Sequence, residues 1–161
     1  MSARPRRAAA WLAGVWAGLV AAIGFVAAPM LFATLARGDA GRVAARLFAL
    51  DAVLGLFLGA LLLVLALQDA RRRAGPGSSR FSTEMLLVLV ALFCIVAGHY
   101  ATLPMLAAAG QGEGPTFALL HGIASVFFVV KFAVVAVLAW RLTAPQTPAN
   151  GGDAKAVAPT S

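Results

Sequence analysis

Phe117 to Trp140, FALLHGIASVFFVVKFAVVAVLAW, is an unbroken apolar run of 24 residues with a single formal charge, Lys131. About 20 apolar residues at ~1.5 Å each cross the hydrocarbon core of a bilayer, so the run constrains this part of the chain to a membrane-spanning helix. A charge near the middle of such a helix costs ~2.5–3.5 kcal/mol to insert, and it calls for protein to face. Phe117, His121, Ala124, Phe128, Lys131, Val135 and Leu138 recur at 4,3 spacing, the mark of a helix packed along one stripe. The spacing predicts that Lys131 and His121 face other helices rather than lipid.

Composition extends this to the whole chain. Of 161 residues, 61% are hydrophobic and 12% charged, about half the ~25% of a soluble domain. The net charge of +7 would suggest nucleic acid in a soluble protein. Here the basic residues flank apolar spans, so they read as orientation signals and attraction to anionic lipid, with no nucleic-acid partner. The lone Cys94 cannot form an internal disulfide and reads as a small core residue.

A basic leader with Arg4, Arg6 and Arg7 precedes an apolar run from Ala8 to Ala36. That run is about twice the ~7–15 residues of a signal-peptide core and reads as a retained span. Gly14 and Gly18, flanked by Ala10 and Ala22, form a GxxxG pair suited to close helix packing, and Pro29 is expected to kink or end the helix. Asp39 is placed as the N-cap of helix two. Val43, Leu47, Asp51, Gly55 and Gly59 follow at i+4 steps, so Asp51 shares a packing stripe with two glycines, while Arg42 and Arg46 snorkel toward headgroups. Asp69 to Ser82 is a polar loop with Arg71, Arg72, Arg73 and Arg80. Ser82 or Thr83 caps helix three, and Glu84 lies in its first turn, complementing the helix dipole. Helix three runs through Cys94 and His99 to Leu103, where Pro104 bends or ends it. Ala107 to Thr116 is a glycine-rich loop without Lys or Arg.

The reading is an all-α, integral-membrane four-helix bundle forming one domain over 1–142, with spans at about 9–35, 43–67, 84–105 and 117–140. Residues 143–161 have too little apolar content to fold and read as a disordered tail. With both termini cytoplasmic, nine basic residues (Arg4, Arg6, Arg7, Arg71, Arg72, Arg73, Arg80, Arg141, Lys155) fall inside and three (Arg37, Arg42, Arg46) outside. The positive-inside rule therefore selects the N-in, C-in topology.

That topology groups the polar residues. A buried cation calls for a partner; Asp51 is the first candidate for Lys131 and Glu84 the second. A pair fixing helix register, a proton or substrate relay, and headgroup snorkelling are the roles open to this polar core. Asp51, His99 and His121, with Met30 and Met105 at the rim, fall in the outer leaflet on four helices, where they could line a polar cavity open to the outer face. Imidazole and thioether suit copper, and two histidines on separate helices suit haem. Neither helix carries a ligand-spacing motif. Walker, HExxH, nucleophile-elbow and dinucleotide motifs are also missing, which favours a non-enzymatic protein over an enzyme. Ser125, one turn after His121, reads as a backbone-bonded hydroxyl. The triplets Pro29-Met30-Leu31 and Pro104-Met105-Leu106 hint at a two-helix repeat.

Three stretches, AAPMLFATLARGDAGRVAARLF, FSTEMLLVLVALFCIVAGHYATLPM and FALLHGIASVFFVVKFAVVAVLAWRL, resemble the bacterial domain-of-unknown-function 4149 family, related to eukaryotic transmembrane-protein-205-like proteins. The likeness spans roughly Ala8 to Leu142. It implies a multi-pass protein of the bacterial inner (plasma) membrane with no established activity. The family is distantly similar to copper-resistance D-type proteins and to a haem-binding protoporphyrinogen oxidase of like architecture; no ligand residue carries over. Two functions follow as expectations. One is a non-enzymatic packing or interaction protein, or a handler of small solutes or ions, built on Asp51 and Lys131. The other is a haem or copper protein using His99 and His121. Beyond the lipid bilayer, a homo-oligomer or a membrane-protein partner stays open.

Overall fold

The protein is described by a computed structural model over residues 3–73, 82–102, 105 and 116–144. It is an all-α membrane bundle. Four helices are long and apolar enough to cross a bilayer: Pro5–Thr34, Arg37–Arg72, Thr83–Ala101 and Phe117–Thr143. Most of the arginine loop, the glycine-rich loop, Pro104 and the tail after Ala144 lie outside the described residues.

The first span is composite. Helix α1 (Ala3–Ala21) runs into a π segment (Ala22–Ala27), and α2 (Ala28–Thr34) continues it. Pro29 therefore does not end the helix. It sits in the first turn of α2, where a missing N–H is tolerated, and the wider π turn before it re-registers the hydrogen bonds. The helix stops at Leu35, which is extended at φ −113°, ψ 155°. Helix α3 (Arg37–Arg73) has 37 residues, ~55 Å at 1.5 Å each, well beyond the ~30 Å hydrocarbon core. It begins two residues before Asp39, so Asp39 is a first-turn carboxylate paired with Arg42 rather than the cap. Helix α4 (Thr83–Ile95) starts where Ser82 Oγ accepts the Met85 N–H at 3.2 Å, and a second π segment (Val96–Ala101) extends it. Helix α5 (Phe117–Thr143) is capped by Thr116, whose hydroxyl accepts the Leu119 N–H.

The four spans form a ring in chain order. α1 packs on α3 and α5, and α4 packs on the same two, so α3 faces α5 across one diagonal and α1 faces α4 across the other. The core of the first span is Ala9, Ala13, Trp16, Val20 and Ile23, all buried at 4,3,4,3 spacing. Trp16 lies against the glycine stripe of α3. A Cβ at Gly59 would come within 2.5 Å of Leu92 and 3.2 Å of Trp16; one at Gly55 would stand 2.8 Å from Ile95. Missing side chains on α3 thus admit both the indole and the α4 leucine and isoleucine, which lets the backbones close up. Gly14 and Gly18 do not serve that purpose within the chain: both are exposed, and a Cβ at either would meet nothing within 4 Å. At ~100° per residue, Gly14 and Gly18 each stand roughly 200° from Trp16, on the outer face.

Both π segments carry a glycine that receives an α5 phenylalanine. A Cβ at Gly98 would stand 2.6 Å from Phe127, and one at Gly24 would overlap the Phe128 ring. The adjacent residues Phe127 and Phe128 thus wedge α5 between the third and first spans. Farther along, the buried face of α5 is Lys131, Val135, Leu138 and Leu142. The 4,3 stripe of the sequence departs from this at its N-terminal end, where Phe117 and His121 are exposed and Leu120 is buried. At ~100° per residue, Leu120 stands about 20° from Lys131 around the helix and His121 about 80°, so a straight helix keeps Leu120 on the buried face and turns His121 off it.

Candidate functional site

Lys131 and Asp51 stand on the two helices that face each other across the diagonal, and their side chains meet at the bundle centre. The Lys131 ammonium donates to Asp51 Oδ2. Asp51 is 2% exposed and Lys131 5%. The ammonium also lies 4.7 Å above the Phe128 ring, and Phe128 makes edge-on contacts with Phe25 and Phe48. The cation is therefore held between a carboxylate and an aromatic face in an apolar shell, where a cation–π contact is worth about 2 kcal/mol. Removing either partner of such a pair typically costs about 3–5 kcal/mol, because the charge left behind is uncompensated.

Asp51 Oδ1 and Trp16 Nε1 are buried and have no hydrogen-bond partner among the described residues. A bare buried donor or acceptor costs about 1–3 kcal/mol. Trp16 was not among the candidates read from the sequence, yet it is the largest fully buried side chain. The signal was present in the 4,3,4,3 stripe on which it is the one large residue.

Glu84 does not join this core. It lies in the first turn of α4, half-buried, and pairs with Arg141 at 3.8 Å. Lys131 is ten residues from Arg141 along α5, ~15 Å of helix rise away. The histidines and methionines expected to line an outer cavity differ in exposure. His121 is exposed and stacks on Phe117 of its own helix, with ring centroids 5.9 Å apart. His99 is half-buried and meets Tyr100 edge-on at 5.0 Å. Met30 is 60% exposed and Met105 46%. Among the described residues no three His, Cys, Asp or Glu side chains come together as a metal site. Ser125 donates to the His121 carbonyl at 2.8 Å, the ordinary i−4 bond of a helical serine.

A cavity of about 60 Å³ does exist at the opposite end of the bundle, lined by residues of all four spans, including Arg6, Asp69, Glu84 and Leu142. Arg6 closes that end. Its guanidinium donates to the carbonyls of Leu142, Arg141 and Ala144 at 3.0, 3.0 and 2.9 Å, capping the last turn of α5 with a cation. Trp11 and Trp140, 77% and 74% exposed, stand on the same end, as an interfacial aromatic belt would.

The model of the domain of unknown function DUF4149 matches residues 11–114. The match takes in Trp16, Asp51, Gly55 and Gly59 and stops before α5, the helix that brings Lys131. No curated protein and no solved structure matches the chain. With most of its length covered by that model, and with the four apolar helices described above, the chain belongs to the DUF4149 family.

Proposed function

We propose that this is a non-enzymatic inner-membrane protein, with both termini cytoplasmic, whose bundle is locked in one register by the Asp51–Lys131 pair and serves as a packing and interaction platform. The observation that carries the reading is the pair itself: two charges on diagonal helices, each almost fully buried. A polar contact at one point of an apolar interface penalises every helix slide that would separate it, which is the best-attested use of buried polar groups. Toward the cytoplasmic end, Trp16, Leu62, Val88 and Leu138 form a buried apolar layer. That layer favours a lock over a conduit for ions or small solutes.

Nine basic residues against three support the orientation. Single cysteines replacing Ser78 or Gln111 in a Cys94→Ala background test it: Ser78→Cys is expected to label only from the cytoplasm and Gln111→Cys only from outside. Labelling of Ser78→Cys from outside alone would overturn the topology. Proton and potassium flux into liposomes tests the lock. Wild type and the Asp51→Leu/Lys131→Met double variant are expected to leak equally. Faster flux through the wild type would assign the pair to transport instead.

A further inference from the structure

We infer that the lipid-facing side of α3 binds one anionic phospholipid, its phosphate held at Arg42 and Arg46 and an acyl chain laid along Leu50, Val53 and Phe57. The two arginines stand one turn apart near the start of α3, and both are exposed. At ~100° per residue, Arg46 points about 180° from Gly55 and within ~40° of Leu50, Val53 and Phe57. Gly55 faces Ile95 and Trp16 inside the bundle, whereas the other three are 52%, 57% and 68% exposed. One face of the helix therefore carries guanidinium groups at its end and only apolar side chains below them.

Depth places those groups among phosphates. Arg71 lies on the same face and is also exposed, ~37 Å from Arg46 along the helix. A hydrocarbon core is ~30 Å thick and a bilayer with its headgroups ~40–45 Å. Arg46 and Arg71 thus reach the headgroup layers of opposite leaflets. Phe57 is ~16 Å from Arg46, about the ~15 Å depth of one leaflet's hydrocarbon.

Charge selects the headgroup. Asp39 pairs with Arg42, and among the described residues no carboxylate pairs with Arg46. This face therefore has one positive charge in excess. A phosphodiester without an ammonium group balances it, and a guanidinium fork takes two of its oxygens. An ethanolamine headgroup would bring a second cation beside the arginines. The site depends neither on which leaflet is cytoplasmic nor on the Asp51–Lys131 lock.

The test places a photoreactive benzophenone side chain at Val53 in full-length protein. The nanodiscs contain equal parts phosphatidylglycerol and phosphatidylethanolamine, and mass spectrometry reads the lipid adducts. Phosphatidylglycerol adducts are expected to exceed phosphatidylethanolamine adducts about fivefold or more. That is what ~1 kcal/mol from one arginine near a membrane surface gives at ~1.4 kcal/mol per tenfold. Arg42→Gln/Arg46→Gln should bring the ratio to about one. The same probe at Val64, ~27 Å from Arg46 and so in the other leaflet, should show no change. A wild-type ratio near one at Val53, a preference for phosphatidylethanolamine, or enrichment that survives the double variant would each overturn the site. An equal fall at Val64 would do so too, because it would show a general loss rather than a local one. The wild-type ratio decides by itself, so a double variant that fails to insert leaves the test standing.

Discussion

Replacing Lys131 by methionine keeps the length of the side chain and removes its charge. The carboxylate it leaves is 2% exposed, so bulk water does not replace the lost ammonium. The expected loss is about 3–5 kcal/mol, the range for a buried charge stripped of its partner. The vacated contact with Phe128 at 4.7 Å adds about 1 kcal/mol or more, less whatever the methionine thioether regains against the ring. Asp51→Asn should cost somewhat less, since its amide oxygen still accepts from the ammonium. In the double variant Asp51→Leu/Lys131→Met no orphan charge remains, and the loss should fall to about 2 kcal/mol or below. Coupling between Asp51→Leu and Lys131→Met should therefore exceed about 2 kcal/mol, far above the ~0.5 kcal/mol scatter of independent sites. Reversible unfolding in mixed micelles, followed through the buried Trp16 fluorescence in Trp11→Phe/Trp140→Phe protein, measures all three values. Additivity within that scatter would refute the lock, because two residues that hold one another cannot be removed independently.

The glycines divide by what a methyl group would meet. Gly98→Ala, facing Phe127 at 2.6 Å, should cost about 1–3 kcal/mol as overpacking. Gly14→Ala, with nothing within 4 Å, should be neutral or stabilise by up to ~1 kcal/mol through helix propensity, and the same unfolding assay compares them. A large loss at Gly14 would point to a second molecule on that face. Arg6→Ala removes three hydrogen bonds to the end of α5. About 1–2 kcal/mol should be lost, after discounting for its partial exposure. Hydrogen exchange of the amides near Trp140–Ala144 should speed up while the centre of α5 stays protected, and uniform exchange across α5 would count against a local cap.

Much of this molecule is determined by one-dimensional rules. Apolar length makes each run a span, because a bilayer leaves the backbone no partner but itself, and the four spans and all-α class follow directly. The stripe through Asp51, Gly55 and Gly59 could be read from i+4 spacing, and its buried face agrees with that reading. The tertiary structure decided everything that depends on which helix stands opposite which. Only the ring order places α3 across from α5, and so brings Asp51, rather than Glu84, to Lys131. In the first span, spacing alone offers two faces, one of small residues through Gly14 and Gly18 and one through Ala13, Trp16 and Val20. Volume settles the choice, since an indole fills the notch over Gly55 and Gly59, whereas glycine facing glycine would leave it open. His121 shows the limit of a strict 4,3 pattern, because at ~100° per residue it stands about 80° around the helix from Lys131, off the face that Leu120 keeps.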